Sequence, residues 1–519
     1  MDADVVIAGA GPNGLMLACE LRLAGVRPIV LERLPEASEV PRANGLVGQV
    51  VRMLDRRGLY ERLSGTPGPP QPQPRYMFGA FPLDLSTIEP NPVYMLPVPQ
   101  RRIEEVLQQR ALELGAEIRR GHELIGFAQD TDSVTVEISG PDGPYHVTAR
   151  YLVGADGGRS LTRKLAGIDF PGITNDTMVS RTANAQVPPE YVDPGTGALS
   201  IPGYGLIPGL MHHRTERGLF LYGQLPGRPP VVSTGEFDVP PEGPMTLEEL
   251  QDSVDRVLGV HLPLAPPDGD GPHLLRRVVG GNSRLADRFR EGRVLLVGDA
   301  AHVHSAIGGP GLNLGLQDTA NLGWKLAAEL QGWAPDGVLD SYESERRPVG
   351  QRVVMQTQAQ SALIAPGNDV TRLRELFGEL LTEPRNVQRI ADLITGADIR
   401  YHDGPHPLIG RWAPDLMVDG TRLAELMRTG RPLLLDLTPE ASFAAAVTSE
   451  ASYAATVARD RIDVVAGRGE SPIALLIRPD GYVAWAAEQD GVAEQDGLRE
   501  ALARWFGVRQ ERPLTSATR

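Results

Sequence analysis

The chain of 519 residues contains one cysteine, Cys19. A single thiol excludes an internal disulfide, a Cys-x-x-Cys redox pair and a cysteine-rich zinc site. Its place inside an apolar helical stretch marks it as a packed thiol rather than a reactive one. Lysine is almost as scarce: Lys164 and Lys325 are the only two, so nearly all positive charge is arginine. Acid outweighs base, with a formal net charge of −15, which argues against nucleic acid as a partner because phosphate contacts need basic patches. No run of about eighteen apolar residues occurs, so no membrane-spanning helix is expected. The first residues run straight into a strand, leaving no room for a signal peptide, and a cytoplasmic location is expected. His302-Val-His304 and His212-His213 have no neighbouring carboxylate or cysteine cluster to complete a metal site; they read as packing residues, and no metal is expected.

What is present is ordinary globular composition, 41% hydrophobic and 23% charged, in a chain too long for one core. The stretch Val5-Val-Ile-Ala-Gly-Ala-Gly-Pro-Asn-Gly-Leu-Met opens it. Four apolar or small residues read as a buried strand, and Gly9, Gly11 and Gly14 follow in G-x-G-x-x-G order before a helical run. The first glycine makes the turn, the second lets backbone approach a pyrophosphate, and the third packs helix against strand. Phosphates would then sit on the free N–H groups and positive end of that helix, where Pro12 and Asn13 also lie. A second strand, Pro28-Ile-Val-Leu, ends in Glu32 and Arg33, eighteen residues from the last glycine to the acid. That is the position for hydrogen-bonding an adenosine ribose.

Residues 47–57 read as a helix capped by Gly58, preceded by Arg42, which could clamp a pyrophosphate bidentately. The Pro-rich segment 66–74 reads as a stiff loop leading to strand residues at 76–79 and 81–83. A helix is expected over 100–114, then a strand at 117–120 and a small antiparallel meander over 122–149 that turns at Asp142-Gly143. A further apolar strand, Tyr151-Leu-Val-Gly, runs into Asp156-Gly157-Gly158-Arg159-Ser160. Residues 176–272 lack helical periodicity except for a capping box at Thr246-Leu-Glu-Glu249, and read as an inserted sheet. Arg293-Val-Leu-Leu-Val-Gly298-Asp299 is a third buried strand, and Gly308-Gly309-Pro310-Gly311-Leu312-Asn313 opens a long helix over 314–330. A carboxylate at a strand end suits a polyol chain. A glycine-rich helix start offers bare N–H groups to the pyrimidine edge of a flavin. Helical runs are expected at 342–364, broken at Pro348, and at 371–394; strands at 433–437, 462–465 and 474–485 with a turn at Asp480-Gly481, and a helix at 498–506, close the chain.

Gly9-x-Gly11-x-x-Gly14, Asp156-Gly157 and Gly298-Asp299, in this order and at these separations, resemble the three fingerprints of the class A FAD-dependent aromatic hydroxylases, whose prototype is para-hydroxybenzoate hydroxylase. The resemblance covers residues 1–375. Leu31-Glu-Arg, Asp55-Arg-Arg-Gly-Leu and Asn321-Leu-Gly-Trp-Lys-Leu-Ala resemble the subgroup that hydroxylates aromatic polyketides of angucycline, anthracycline and tetracycline type. The resemblance implies an α/β fold: a Rossmann-like FAD-binding domain over 1–175 and 273–399, a substrate-binding sheet domain over 176–272, and a thioredoxin-like domain over 400–519 with a packing or homodimer role. It also implies non-covalent FAD held by Gly9, Gly11, Pro12, Asn13, Gly14, Glu32, Arg33, Arg42, Gln100, Leu124, Asp156, Asp299, Gly309, Pro310, Gly311, Leu312 and Asn313. The implied reaction is hydroxylation of a polycyclic aromatic polyketide through a flavin C4a-hydroperoxide, with O2 as oxidant and NADPH or NADH as transient reductant. Baeyer–Villiger insertion and a non-catalytic flavin scaffold are the alternatives. A flavin halogenase is disfavoured, because a Trp-x-Trp-x-Ile-Pro motif is absent. Many relatives carry proline where Ala306 stands and glutamine where Pro310 stands. The sequence singles out no catalytic base.

Overall fold

The computed structural model describes residues 1–38, 43–224, 227–269, 273–305, 307–448, 460–469 and 472–508. The three motif strands lie side by side. In the first sheet the order is Arg290–Glu291, Val294–Leu296, Tyr151–Gly154, Val5–Ala8, Pro28–Glu32 and Glu117–Arg120. All neighbours run parallel except the short edge strand Arg290–Glu291. Parallel strands deliver their carboxyl ends to one edge, so the turns after Ala8, Gly154 and Leu296 open at the same place. Both faces are covered, which is why these strands read as continuous apolar runs rather than alternating ones. Val5 and Ile7 pack with the helices Pro12–Leu23, Gln100–Glu113 and Pro310–Leu330. Val6 and Ala8 face the meander Glu123–Gln129, Val134–Gly140 and Gly143–Ala149, through Val134, Val136, Ile138 and Val147.

The second sheet is antiparallel, in the order His213–Arg214, Leu219–Gly223, Val231–Glu236, Gly172–Asn184, Leu275–Leu285 and His302–Val303. It reaches beyond 176–272 on both sides, and its last strand directly follows the Gly298–Ala300 turn. The helix Leu247–Leu258 covers one face, with Leu250, Val254 and Val257 packed on Phe220, Tyr222 and Val232. Its capping box is half made: Thr246 accepts from the Glu249 N–H, but the Glu249 carboxylate turns away to Arg181 and Arg277.

Several helical expectations need correction. The helix expected over 47–57 begins at Gln49, because Leu46–Val47 pairs with Met95–Leu96 as a strand. Ser341–Ile364 is one helix and is not broken at Pro348. A proline inside a helix costs about 3 kcal/mol. Here both sides are pinned, by Tyr342 and Arg346 before it and by Gln360 after it, which bond Leu296, Asp318 and Gly79. The run expected over 371–394 is two helices, Asn368–Leu380 and Pro384–Thr395, since Pro384 cannot continue a helix but suits a first helical position.

Beyond residue 400 a four-stranded sheet runs in the order Asp463–Ala466, Leu433–Asp436, Ala474–Ile477 and Val483–Ala487, backed by the helix Val492–Phe506. Its turn at Asp480-Gly481 plugs into the first unit. Arg478 donates to Glu345 and Asp480 accepts from Asn321, while Lys325 donates to both Asn321 and Glu345, all of them buried. Arg56 reaches the carbonyls of Ala413 and Gly481, and Arg57 bonds Glu20 and the Pro479 carbonyl. Trp324 packs on Trp505 and Phe506.

Candidate functional site: a nucleotide cleft at the edge of the parallel sheet

The glycines of the first turn do different work. A Cβ on Gly14 would stand 1.9 Å from the Gly9 carbonyl oxygen, and one on Gly9 would stand 2.5 Å from that of Ala155. Those two positions are glycine because the chain packs on itself. A Cβ on Gly11 would meet nothing within 4 Å, so that position opens onto free space. This is the cradle a pyrophosphate needs. Pro12 is the first residue of the helix, where its missing N–H is harmless. Asn13 lies beside Gly298 and Gly315, and its Oδ1 is buried with no hydrogen-bond partner among the described residues.

Glu32 is fixed by two N–H donors, from Ala10 at 3.0 Å and Leu34 at 3.0 Å, which hold its carboxylate against the glycine turn. Arg33 is exposed, and Arg42 lies outside the described residues. Gln100 starts its helix and donates to Glu104 at 2.8 Å. Leu124 has its side chain in the meander core, leaving only backbone groups for a ligand. Asp156 is engaged internally: Ser160 Oγ donates to it at 2.5 Å, and Thr162 donates through N–H and Oγ1 at 3.0 Å each. It shapes its turn rather than presenting a free carboxylate.

Asp299 is the opposite case. It is exposed at the strand edge, with no hydrogen bond to another described residue. What holds it there is Asp318, on the helix Pro310–Leu330. The buried Asp318 carboxylate accepts from the Gly298 N–H at 3.2 Å, lies 2.6 Å from His302 Nε2 and pairs with Arg346 Nε at 2.7 Å. One carboxylate thus clamps both sides of the Gly-Asp turn. Burial alone would raise its pKa, but Arg346 and His302 together hold it below its ordinary value. His302 is therefore part of a structural clamp. Among the described residues no cluster of three His, Cys, Asp or Glu could hold a metal ion.

The helix that carries Asp318 starts one turn earlier than expected, at Pro310, after Gly309 in left-handed conformation with φ 64°. No side chain caps it, so its early N–H groups and its dipole face outward past two exposed glycines. Asn313 is buried and ties this start down, donating to the Gly309 carbonyl at 2.8 Å and accepting from the Val47 N–H at 2.9 Å. Gly311 and Leu312 remain partly accessible. Ala306 lies outside the described residues. An open glycine cradle, an orphaned Asn13 oxygen, a free Asp299 carboxylate and an uncapped helix start at one sheet edge fit the phosphates, polyol and ring of FAD.

Beside this edge lies a cleft of about 500 Å³ lined by Arg159, Arg163, Lys164, Phe170, Arg284 and His304 among others. Arg163 is committed, donating to the Ala300 and Gly158 carbonyls and lying 3.8 Å over the Phe170 ring. Arg284 donates to the Phe170 carbonyl and Thr174. Arg159 and Lys164 are exposed and make no ion pair with a described residue. The sequence reading missed this basic cleft; the one signal for it was the arginine spacing after Asp156-Gly157.

Comparison with known proteins gives a consistent picture. A family model described as an FAD binding domain matches residues 2–357, and one described as the C-terminal part of aromatic-ring hydroxylases matches 406–508. The 12-dehydrotetracycline 5-monooxygenase/anhydrotetracycline 6-monooxygenase of Streptomyces rimosus is 43% identical, over 98% of this chain and 99% of its own length. The solved structure of the anhydrotetracycline hydroxylase OxyS from Streptomyces rimosus superposes with a TM-score of 0.81 at 42% identity, covering 98% of this chain and 99% of that one. CabE, an aromatic hydroxylase from angucycline biosynthesis, does so with a TM-score of 0.81 at 35% identity, covering 98% and 100%.

Proposed function

The chain belongs to the FAD-binding aromatic-ring hydroxylase family and is an FAD-dependent monooxygenase, and from that premise we propose that it hydroxylates a polycyclic aromatic polyketide at the expense of NADPH or NADH. The observation that carries this reading is the convergence of Gly11, Asp299 and the uncapped helix start on one sheet edge, overhung by a second sheet. FAD, when bound, supplies the redox chemistry, accepting hydride from the nicotinamide and activating dioxygen.

The protein's residues do the rest. Glu32 holds the adenosine ribose, and Gly11, Asn13 and Arg42 hold the pyrophosphate. Asp299 accepts from a ribityl hydroxyl, while Gly311 and Leu312 offer N–H groups to the pyrimidine edge, where negative charge gathers on reduction. Asn313 keeps that helix start in place. The basic cleft receives the reductant's phosphates through Arg159 and Lys164. We divide the chain as the family suggests, with an FAD-binding unit over 1–175 and 273–399, a substrate sheet over 176–272 and a thioredoxin-like unit over 400–519. Without a second cysteine that last unit performs no dithiol chemistry. Its role in this reading is packing or homodimer formation.

The test is turnover with NADPH, ¹⁸O2 and anhydrotetracycline. One labelled oxygen on a ring carbon, located by product NMR, is the expected result. A ring-expanded ester would replace hydroxylation by Baeyer–Villiger insertion. NADPH oxidation that no polycyclic phenol quickens, with no labelled product, would overturn the substrate class.

A further inference from the structure

The face of the second sheet away from the helix Leu247–Leu258 carries side chains that the cofactor site does not use. Strand register identifies them. His213 pairs with Phe220, Arg214 with Leu219, and Ser233 with both Leu221 and Thr182. Phe220 belongs to the core under Leu247–Leu258, and His213 bonds Tyr204 at 2.6 Å. Directly paired residues share a face, so Leu219, Leu221, Ser233, Thr182 and Arg214 occupy the other one. Extending the register by one residue puts His212 opposite Leu221, on that same face.

That face looks toward the cofactor edge. Arg214 donates to the carbonyls of Ala365 and Gly367 and to Thr371 Oγ1, at the end of the helix Ser341–Ile364. Five residues earlier on that helix, Gln360 packs on Gly308, beside the uncapped helix start. Five residues of helix span about 7.5 Å, which is the separation along that helix between the Arg214 contact at Ala365 and the Gln360 contact at Gly308. The floor of leucines and hydroxyls suits a flat phenolic ligand.

His212 is half-buried and hydrogen-bonds no described residue. Burial lowers its basicity, so at neutral pH the ring holds a free lone pair. Among the described residues Arg214 and Arg374 make no ion pair: Arg374 donates to the Gly79, Ala80 and Leu363 carbonyls and lies over the Phe81 ring. The exposed Glu216 offsets part of the Arg214 charge. Burial, and then the nearby Arg214 charge, lower the affinity of Arg374 for its proton.

Resting on the substrate class proposed above, we propose that His212 and Arg214, with the charge of Arg374 behind them, form the phenol-recognising end of the substrate cleft. A ring nitrogen of His212 accepts the phenol proton, leaving phenolate and imidazolium, and the guanidiniums stabilise the phenolate. The electron-rich ring this creates is the form that attacks an electrophilic oxygen. No electron leaves either group in this step.

The experiment uses the oxidised holoenzyme and alizarin, a hydroxylated anthraquinone whose colour changes on ionisation. The wild-type protein is expected to bind it and to ionise it at a lower pH than in solution. His212→Gln should weaken binding about fivefold, the value of one hydrogen bond. It should also return the ionisation toward that of the free dye by about one unit. Arg214→Gln should shift the ionisation the same way, and both variants should keep normal FAD affinity. His212→Asn serves if the glutamine variant does not fold. Unchanged dye affinity and ionisation in the His212 and Arg214 variants would overturn the assignment. If the wild-type protein bound neither alizarin nor anhydrotetracycline, the substrate class itself would fall, and this assignment with it.

Discussion

A carboxylate's partners decide what it can do, and Asp156 and Asp299 show the difference. Both stand in Asp/Gly turns at the same sheet edge, but Asp156 accepts from Ser160 and Thr162 whereas Asp299 has no donor among the described residues. Asp299→Ala should therefore weaken FAD binding about ten- to hundredfold, the range of a hydrogen bond to a charged group, and Asp299→Asn less. Fluorescence titration of the apoprotein measures this, and an alanine variant with normal affinity would remove Asp299 from the cofactor site. Arg159 and Lys164 carry the other prediction at this scale. Replacing both by alanine should raise KM for NADPH more than tenfold, since each phosphate contact is charge-assisted, while FAD affinity stays normal. An unchanged KM would place the reductant elsewhere. From the sequence, the glycines, Glu32 and Asp299 were legible because each is a local signal. The partners of Asp156 were not, although they lie within six residues, because hydroxyl direction depends on how the turn closes.

At the scale of elements, the helix Pro310–Leu330 links the cofactor edge to the rest of the molecule. Its uncapped start opens at that edge, and about two turns further on Asp318 fixes Gly298 and His302. Asp318→Asn would leave Arg346 and His302 buried with their acid gone. The expected loss is about 3–5 kcal/mol of stability, read in a denaturant melt. A pH dependence goes with it. The folded carboxyl titrates below its ordinary value of 3.8, so its contribution is complete above that value and is lost as pH falls through the lower folded one. Acid unfolding below about pH 4 should be less steep in the asparagine variant. An equal slope would mean that Asp318 does not titrate with unfolding. The continuity of Ser341–Ile364 through Pro348 belongs to this scale too. The local rule for proline was correct about the cost and silent about the buried ties on either side.

For the molecule as a whole, the C-terminal unit is anchored by charge as well as by apolar packing. Arg478 is buried between Glu345 and Asp480, next to Lys325. Desolvation lowers Lys325 to about 8 despite the adjacent Glu345. Arg478→Met removes one cation from a cluster in which both acids depend on it. Stability should fall by about 3–5 kcal/mol, and the C-terminal unit should loosen first under limited proteolysis. Protection equal to wild type would show that the apolar contact of Trp324 with Trp505 and Phe506 suffices alone. The two phrases that mark the polyketide subgroup, Asp55-Arg-Arg-Gly-Leu and Asn321-Leu-Gly-Trp-Lys-Leu-Ala, form this docking surface: Asp55 meets Arg422, Arg56, Arg57 and Asn321 meet the plug, Trp324 meets Trp505, and Lys325 bonds Glu345 beside them. They go with the extra unit because they bind it.

The sequence by itself determined the strand–glycine–helix turns, the acid after the second strand, the Gly-Asp turn and the C-terminal turn at Asp480-Gly481, because each is written within a few adjacent residues. Tertiary structure alone decided that the three motif strands are neighbours, that Asp318 holds His302, and that His213 shares the core face with Phe220 while Arg214 shares the other with Leu219. Those facts depend on register and on groups up to hundreds of residues apart. In a strand a shift of one residue exchanges the two faces, and only the pairing shows which face is which.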